Sequence, residues 1–159
     1  MTMDLHTSLI KLQRILSQTW GNQVQDKQQE VLSASEFEYL HYVHVAESAH
    51  VHEDPIDDTD VGHDSSSHMS AIAAEMQVQK SSASLMVNKL EKRGLIERVT
   101  CQFDARAQHI LFTDKGRELY LSTEARVYLS LAASFKNKLD ADEYQQLEGL
   151  LSKACSKLD

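Results

Sequence analysis

The sequence predicts a mainly α-helical fold with one small β-hairpin, and three observations lead there. Apolar residues recur every three or four positions through most of the chain, the period of a helix with one buried face. One Pro and five Gly in 159 residues are too few for a loop-rich all-β fold. Two short stretches, 95–100 and 108–112, have the composition of strands. A content of 42% hydrophobic and 25% charged residues suits one domain, or one domain plus a dimerisation segment, and is too apolar for wholesale disorder. No apolar run approaches the roughly 18 residues of a membrane span. The first residues lack the basic-then-apolar build of a signal peptide, so a cytoplasmic location and no membrane partner are expected.

The elements follow in order. Leu5, Leu9, Leu12, Leu16 and Trp20 form a helical stripe that suits a seam between chains, and the polar residues 21–32 link or extend it. Ser33-Ala34-Ser35-Glu36 has the form of a capping box, opening a helix with Phe37, Leu40 and Val43 inward. Residues 48–68 are dominated by Ser, Asp and His, and read as a long, mobile insertion whose few apolar groups cannot offset its ordering entropy. A helix from Met69 to Met76 turns inward Met69, Ile72, Ala73 and Met76. Gln77-Val78-Gln79 is a tight connection to a second helix, Lys80 to Arg93, with Ala83, Val87 and Leu90 inward. Gly94 stands where a left-handed helix cap is expected. The two strands flank a polar tip at 101–107. Thr113 begins a long helix to about Lys138, and Asp140-Ala141-Asp142-Glu143 caps a last one bearing Tyr144, Leu147, Leu150, Leu151, Ala154 and Leu158.

A net charge of −8 argues against nucleic acid only until it is divided along the chain. Residues 47–68 carry seven acids and no Lys or Arg, whereas 69–118 carry eight bases and six acids. Phosphate binding depends on such local bases rather than on the total.

Helix, short turn, helix, two strands with a basic tip and a long helix is the order of a winged helix-turn-helix. Residues 70–120 resemble the MarR family of bacterial transcriptional regulators. The resemblance is carried by 90–98 (LEKRGLIER), 104–106 (DAR), 112–116 (FTDKG) and 139–143 (LDADE). It implies a winged helix-turn-helix lobe plus a helical dimerisation region. Residues 1–32 would be the N-terminal dimerisation helix and linker, 33–113 the DNA-binding lobe with an acidic, His-rich insertion at 47–68, and 114–159 the C-terminal dimerisation helices. The implied function is that of a homodimeric repressor of near-palindromic double-stranded DNA, released by a small, often aromatic, ligand bound between lobe and dimer region. Surplus apolar surface on three terminal helices independently suggests a two-fold partner.

The expected DNA contacts are Lys80, Ser81, Ser82, Ser84, Leu85, Asn88, Lys89 and Arg93 on the second helix, and Asp104 and Arg106 at the tip. Serines at a helix start either reach phosphates and base edges or simply cap the helix. Leu85 either touches a thymine methyl or covers the lobe core, the second being expected. Lys89 and Arg93 suit backbone contacts, and Arg98 either supports those contacts or pairs with a nearby acid. Arg106, held by Asp104, suits an A/T-rich minor groove. Trp20, Phe37 and His41 are candidate ligand contacts. Eight His, including His41 and His44 on one face and His50, His52, His63 and His68 beyond, raise a metal-responsive alternative centred on the insertion. No metal and no cofactor are expected, because no HExxH or Cys-pair frame is present. Cys101 and Cys155 read as inert thiols. Without a phosphate loop or a GxSxG elbow, no enzyme activity is expected. A winged-helix protein-interaction module is a further alternative.

Overall fold

The computed structural model of the chain describes residues 4–23, 30–50, 68–101 and 105–156. Helix α1 spans Leu5–Gln23, α2 Ala34–His50, α3 Met69–Glu75 and α4 Lys80–Lys92. Strands β1 (Ile96–Thr100) and β2 (Gln108–Phe112) form an antiparallel pair. Helix α5 (Asp114–Glu124) passes through a π-helical turn (Ala125–Leu129) into α6 (Ser130–Lys136), and α7 spans Ala141–Cys155. The chain divides into two compact units, Trp20–Thr123 and Met1–Thr19 together with Glu124–Asp159.

The first unit is a lobe closed around its own core. Leu40, Val43, Ile72, Ala83, Val87, Leu90, Leu95, Ile110 and Tyr120 are all buried there, as the helical and strand periods require. Ser33 and Glu36 do close the capping box that opens α2. The Glu36 N–H donates to Ser33 Oγ at 3.2 Å, and the Ser33 N–H to Glu36 Oε2 at 2.9 Å. Leu32 lies in a stretch read as a polar link, yet it is buried. With Phe37 it occupies the two positions of a hydrophobic staple around that box.

The ends of the expected insertion belong to the lobe. Residues 47–50 continue α2, and Glu47 accepts the Phe112 N–H at 2.9 Å while pairing with Arg117. His68 is buried and bridges to β2. Residues 51–67, and the expectation of mobility attached to them, lie outside the described residues. Cys101, placed by its neighbours in a polar tip, is also buried.

The second unit keeps its apolar side chains at the surface. The Asp140–Glu143 capping box forms as expected, with the Glu143 N–H donating to Asp140 Oδ1 at 2.9 Å. Helix α7 packs on α6, and between them and the π-helical turn lies a groove of about 230 Å³ lined by Tyr128, Leu131, Phe135, Tyr144, Leu147 and Leu151. Leu5, Leu9, Ile10, Leu129 and Leu150 are exposed. Among the described residues of this unit, Val127 is the buried hydrophobic one.

Candidate nucleic-acid interface

Helices α3 and α4, joined by the turn 76–79, form the helix pair, with Gln77 in the left-handed region at φ 50°. Ala83, Val87 and Leu90 point into the lobe, which forces the opposite face of α4 outward. Lys80, Ser81, Ser82, Leu85, Asn88 and Lys89 are exposed, and Ser84 is half-buried. Lys92, absent from the expected set, shares this stripe; its spacing of four from Asn88 was the available signal.

One expectation about α4 changes and one alternative falls away. Leu85 is 71% exposed, so it does not cover the core. Neither Ser81 nor Ser82 is the N-cap; Gln79 holds that position and its side chain makes no capping bond. The first-turn N–H groups therefore receive no bond from the N-cap side chain, while the dipole of a 13-residue helix favours negative charge there.

Arg93, expected on phosphate, is held inside the lobe. Its guanidinium meets Glu36 Oε1 at 2.7 Å and Glu30 Oε1 at 3.0 Å, and donates to the Val31 carbonyl at 2.9 Å. Lys89 Nζ lies 3.1 Å from the same Glu36 oxygen but keeps 58% of its side chain exposed. Burial alone would raise the Glu36 pKa. Hydrogen bonds from Arg93, the Ser33 N–H and Lys89 outweigh it and hold that carboxyl at about 2. The cluster fixes α4 against the start of α2. Arg98 pairs with Glu91 at 3.2 Å and donates to Asn88 Oδ1, tying β1 to α4.

The wing is anchored by the same motif residues that carry the family resemblance. Gly94 takes φ +69° and ends α4. Thr113 Oγ1 donates to the Gly94 carbonyl at 2.6 Å and accepts the Gly116 N–H at 3.0 Å, so Thr113 caps α5. Lys115 Nζ donates to the Arg93 carbonyl at 2.8 Å. Gly116 is required because a Cβ there would stand 1.8 Å from the Leu95 carbonyl oxygen. These bonds clasp the end of α4 to the base of the wing. At the wing tip Arg106 is exposed, and Asp104 lies outside the described residues.

Trp20, Phe37 and His41 come together. Phe37 stacks on Tyr120 with centroids 5.0 Å apart, Trp20 meets Phe37 edge-on at 5.7 Å, and His41 Nδ1 is 2.8 Å from the Tyr120 hydroxyl. His44 also faces the Tyr120 ring, at 4.9 Å, so His41 and His44 are each engaged with an aromatic side chain. Phe37 is buried, while Trp20 and His41 keep accessible surface.

A helix pair with an outward polar face, followed by a clasped two-stranded wing, defines the winged helix-turn-helix class. The model of the MarR family matches residues 63–107, which include α3, α4 and β1. Solved MarR-family structures share the fold. The Staphylococcus aureus MepR–DNA complex aligns at a TM-score of 0.64, with 16% identity over 100% of both chains. S. aureus MepR bound to ethidium bromide aligns at 0.62, with 17% identity over 99% of this chain and 98% of that one. Wild-type apo MarR from Escherichia coli aligns at 0.60, with 18% identity over 97% and 98%. The fold is that of the MarR-family winged-helix proteins, and the resemblance read from the sequence holds. Among the described residues, no helix is long and apolar enough to cross a membrane.

Proposed function

We propose that this chain is a homodimeric transcriptional repressor that binds near-palindromic double-stranded DNA and is released by a small aromatic molecule. The observation that carries the reading is the outer face of α4, where Leu85, Ser81, Ser82, Asn88 and Lys89 are all exposed, Asn88 and Lys89 being steadied from the lobe by Arg98 and Glu36. Such a face presents hydrogen-bonding groups to base edges, an apolar group to a thymine methyl, and N–H groups to a phosphate. Arg106 supplies a guanidinium for the minor groove. Arg93 is an internal anchor in this reading, and Lys92 takes its place on the backbone.

Dimerisation through the terminal helices is supported by their exposed leucines and the apolar groove between α6 and α7. Repression follows from occupying a site that polymerase needs. DNA is present in one MepR structure and ethidium in another, which is in keeping with both halves of the reading. The accessible rings of Trp20 and His41, backed by the buried Phe37 and Tyr120, offer the aromatic surface for the releasing ligand.

Mobility shifts across DNA upstream of the protein's own gene test the assignment. We expect retardation that weakens steeply with salt, with Lys89→Ala and Arg106→Ala each reducing affinity about tenfold. Retardation indifferent to both substitutions contradicts it.

A further inference from the structure

We propose that His68, Cys101 and His109 form a Zn²⁺ site that ties the wing to the helix pair. The residues are distant in sequence, and strand register brings them together. Cys101 follows β1, and its N–H donates to the Ala107 carbonyl at 3.0 Å, which carries the ladder one step past the Thr100–Gln108 pair. Side chains alternate along strands, so Cys101 shares a face with Val99, Ala107 and His109, opposite the face of Ile96, Ile110 and Phe112. His68 joins β2 from its other edge as an antiparallel bridge to His109, with the two imidazole centroids 4.5 Å apart. The two ring nitrogens and the sulfur all lie within 4.8 Å of one another.

The donor chemistry selects the ion. Two imidazoles and a thiolate suit Zn²⁺, whereas Ca²⁺ and Mg²⁺ take oxygen. Zn–N and Zn–S bond lengths put neighbouring donors of a tetrahedral site about 3.3–3.7 Å apart, a side-chain-scale adjustment from the present spacing. Binding displaces the Cys101 thiol proton to solvent and changes no other covalent bond. Three protein donors leave a fourth position for water.

The placement gives the site a consequence. His68 immediately precedes α3, while Cys101 and His109 belong to the outer ends of the two wing strands. An ion holding all three fixes the wing against α3 and thus against α4, which packs on it. The site takes only His68 from the His-rich stretch, its other two donors coming from the wing, and it stands whether or not the protein binds DNA.

The test is a titration of the reduced, metal-free full chain with Co²⁺ as a visible stand-in for Zn²⁺. The expected result is one Co²⁺ per chain, strong tetrahedral d–d absorption and a thiolate-to-metal charge-transfer band, all bleached by Zn²⁺. Cys155→Ser keeps that band and Cys101→Ser loses it. His109→Gln weakens Co²⁺ binding at least about tenfold. Because Cys155→Ser leaves Cys101 as the sole thiol, its spectrum decides the matter even should Cys101→Ser fold poorly. No binding, binding without a thiolate band, or an unchanged band in Cys101→Ser overturns the site.

Discussion

The lobe and the terminal helices treat their apolar residues in opposite ways. In Trp20–Thr123, most large aliphatic side chains with helical or strand periodicity are covered, and Leu85 is the most exposed exception, ahead of Val45, Val78, Val99 and Leu121. In the terminal unit, Leu5 is 75% exposed and Leu150 66%, and Leu9, Leu129 and Leu151 are open as well. Covering a leucine contributes about 1.5–3 kcal/mol, so this surface is a large unspent driving force. The contrast separates a part that closes its own core from a part whose apolar side chains stay open, as the proposed dimer requires, with Leu85 the most exposed of the large apolar residues the lobe leaves at its surface.

The harshest way to probe the complete part is Gly116→Ala. A methyl 1.8 Å from the Leu95 carbonyl has no room, and the neighbour is backbone. We expect a loss of more than about 3 kcal/mol in urea unfolding, with wing and α5 released together. In the terminal unit, the double substitution Leu150→Asp, Leu151→Asp is expected to halve the sedimenting mass of the proposed dimer and leave the lobe folded. It should cost at least about 100-fold in DNA affinity, because two linked half-site contacts become one.

Glu36→Gln probes the lobe's charged seam. Removing the carboxylate leaves Arg93 with Glu30 as its one carboxylate partner, and a loss of about 2 kcal/mol is expected. The pH dependence has a definite sign. The carboxyl titrates at about 2 when folded and near 4.5 when not. Its stabilisation is therefore complete above about pH 4.5 and fades as pH falls toward 2, and Glu36→Gln removes that part of the acid sensitivity. Leu85→Ala is the mildest. Its stability should stay within about 0.5 kcal/mol of the parent, as for an exposed site, while DNA binding loses about 1 kcal/mol.

Much of the lobe was legible because its signals are local. Gly94, Thr113 and the Ser33–Glu36 box act within a few residues, so type and spacing suffice to read them. The inward faces of α2, α4 and the strands follow from period alone. What escaped depends on partners far along the chain. Arg93 read as a phosphate ligand because Glu30 and Glu36, 63 and 57 positions away, are invisible to spacing arguments. Leu32 reads as linker until the helix it staples is in place. Leu85 could not be assigned from periodicity, since exposure at the margin of a buried stripe depends on how neighbouring elements cross. His68, Cys101 and His109 meet only through strand register, which a one-residue slip would undo.

The most direct measurement of the account is sedimentation of the full chain with and without a duplex from its own upstream region. The account predicts twice the 18.0 kDa chain mass in the free protein, and two chains on each duplex in dilute salt, released as ionic strength rises. A single 18.0 kDa species that leaves the duplex unbound in dilute salt would contradict it.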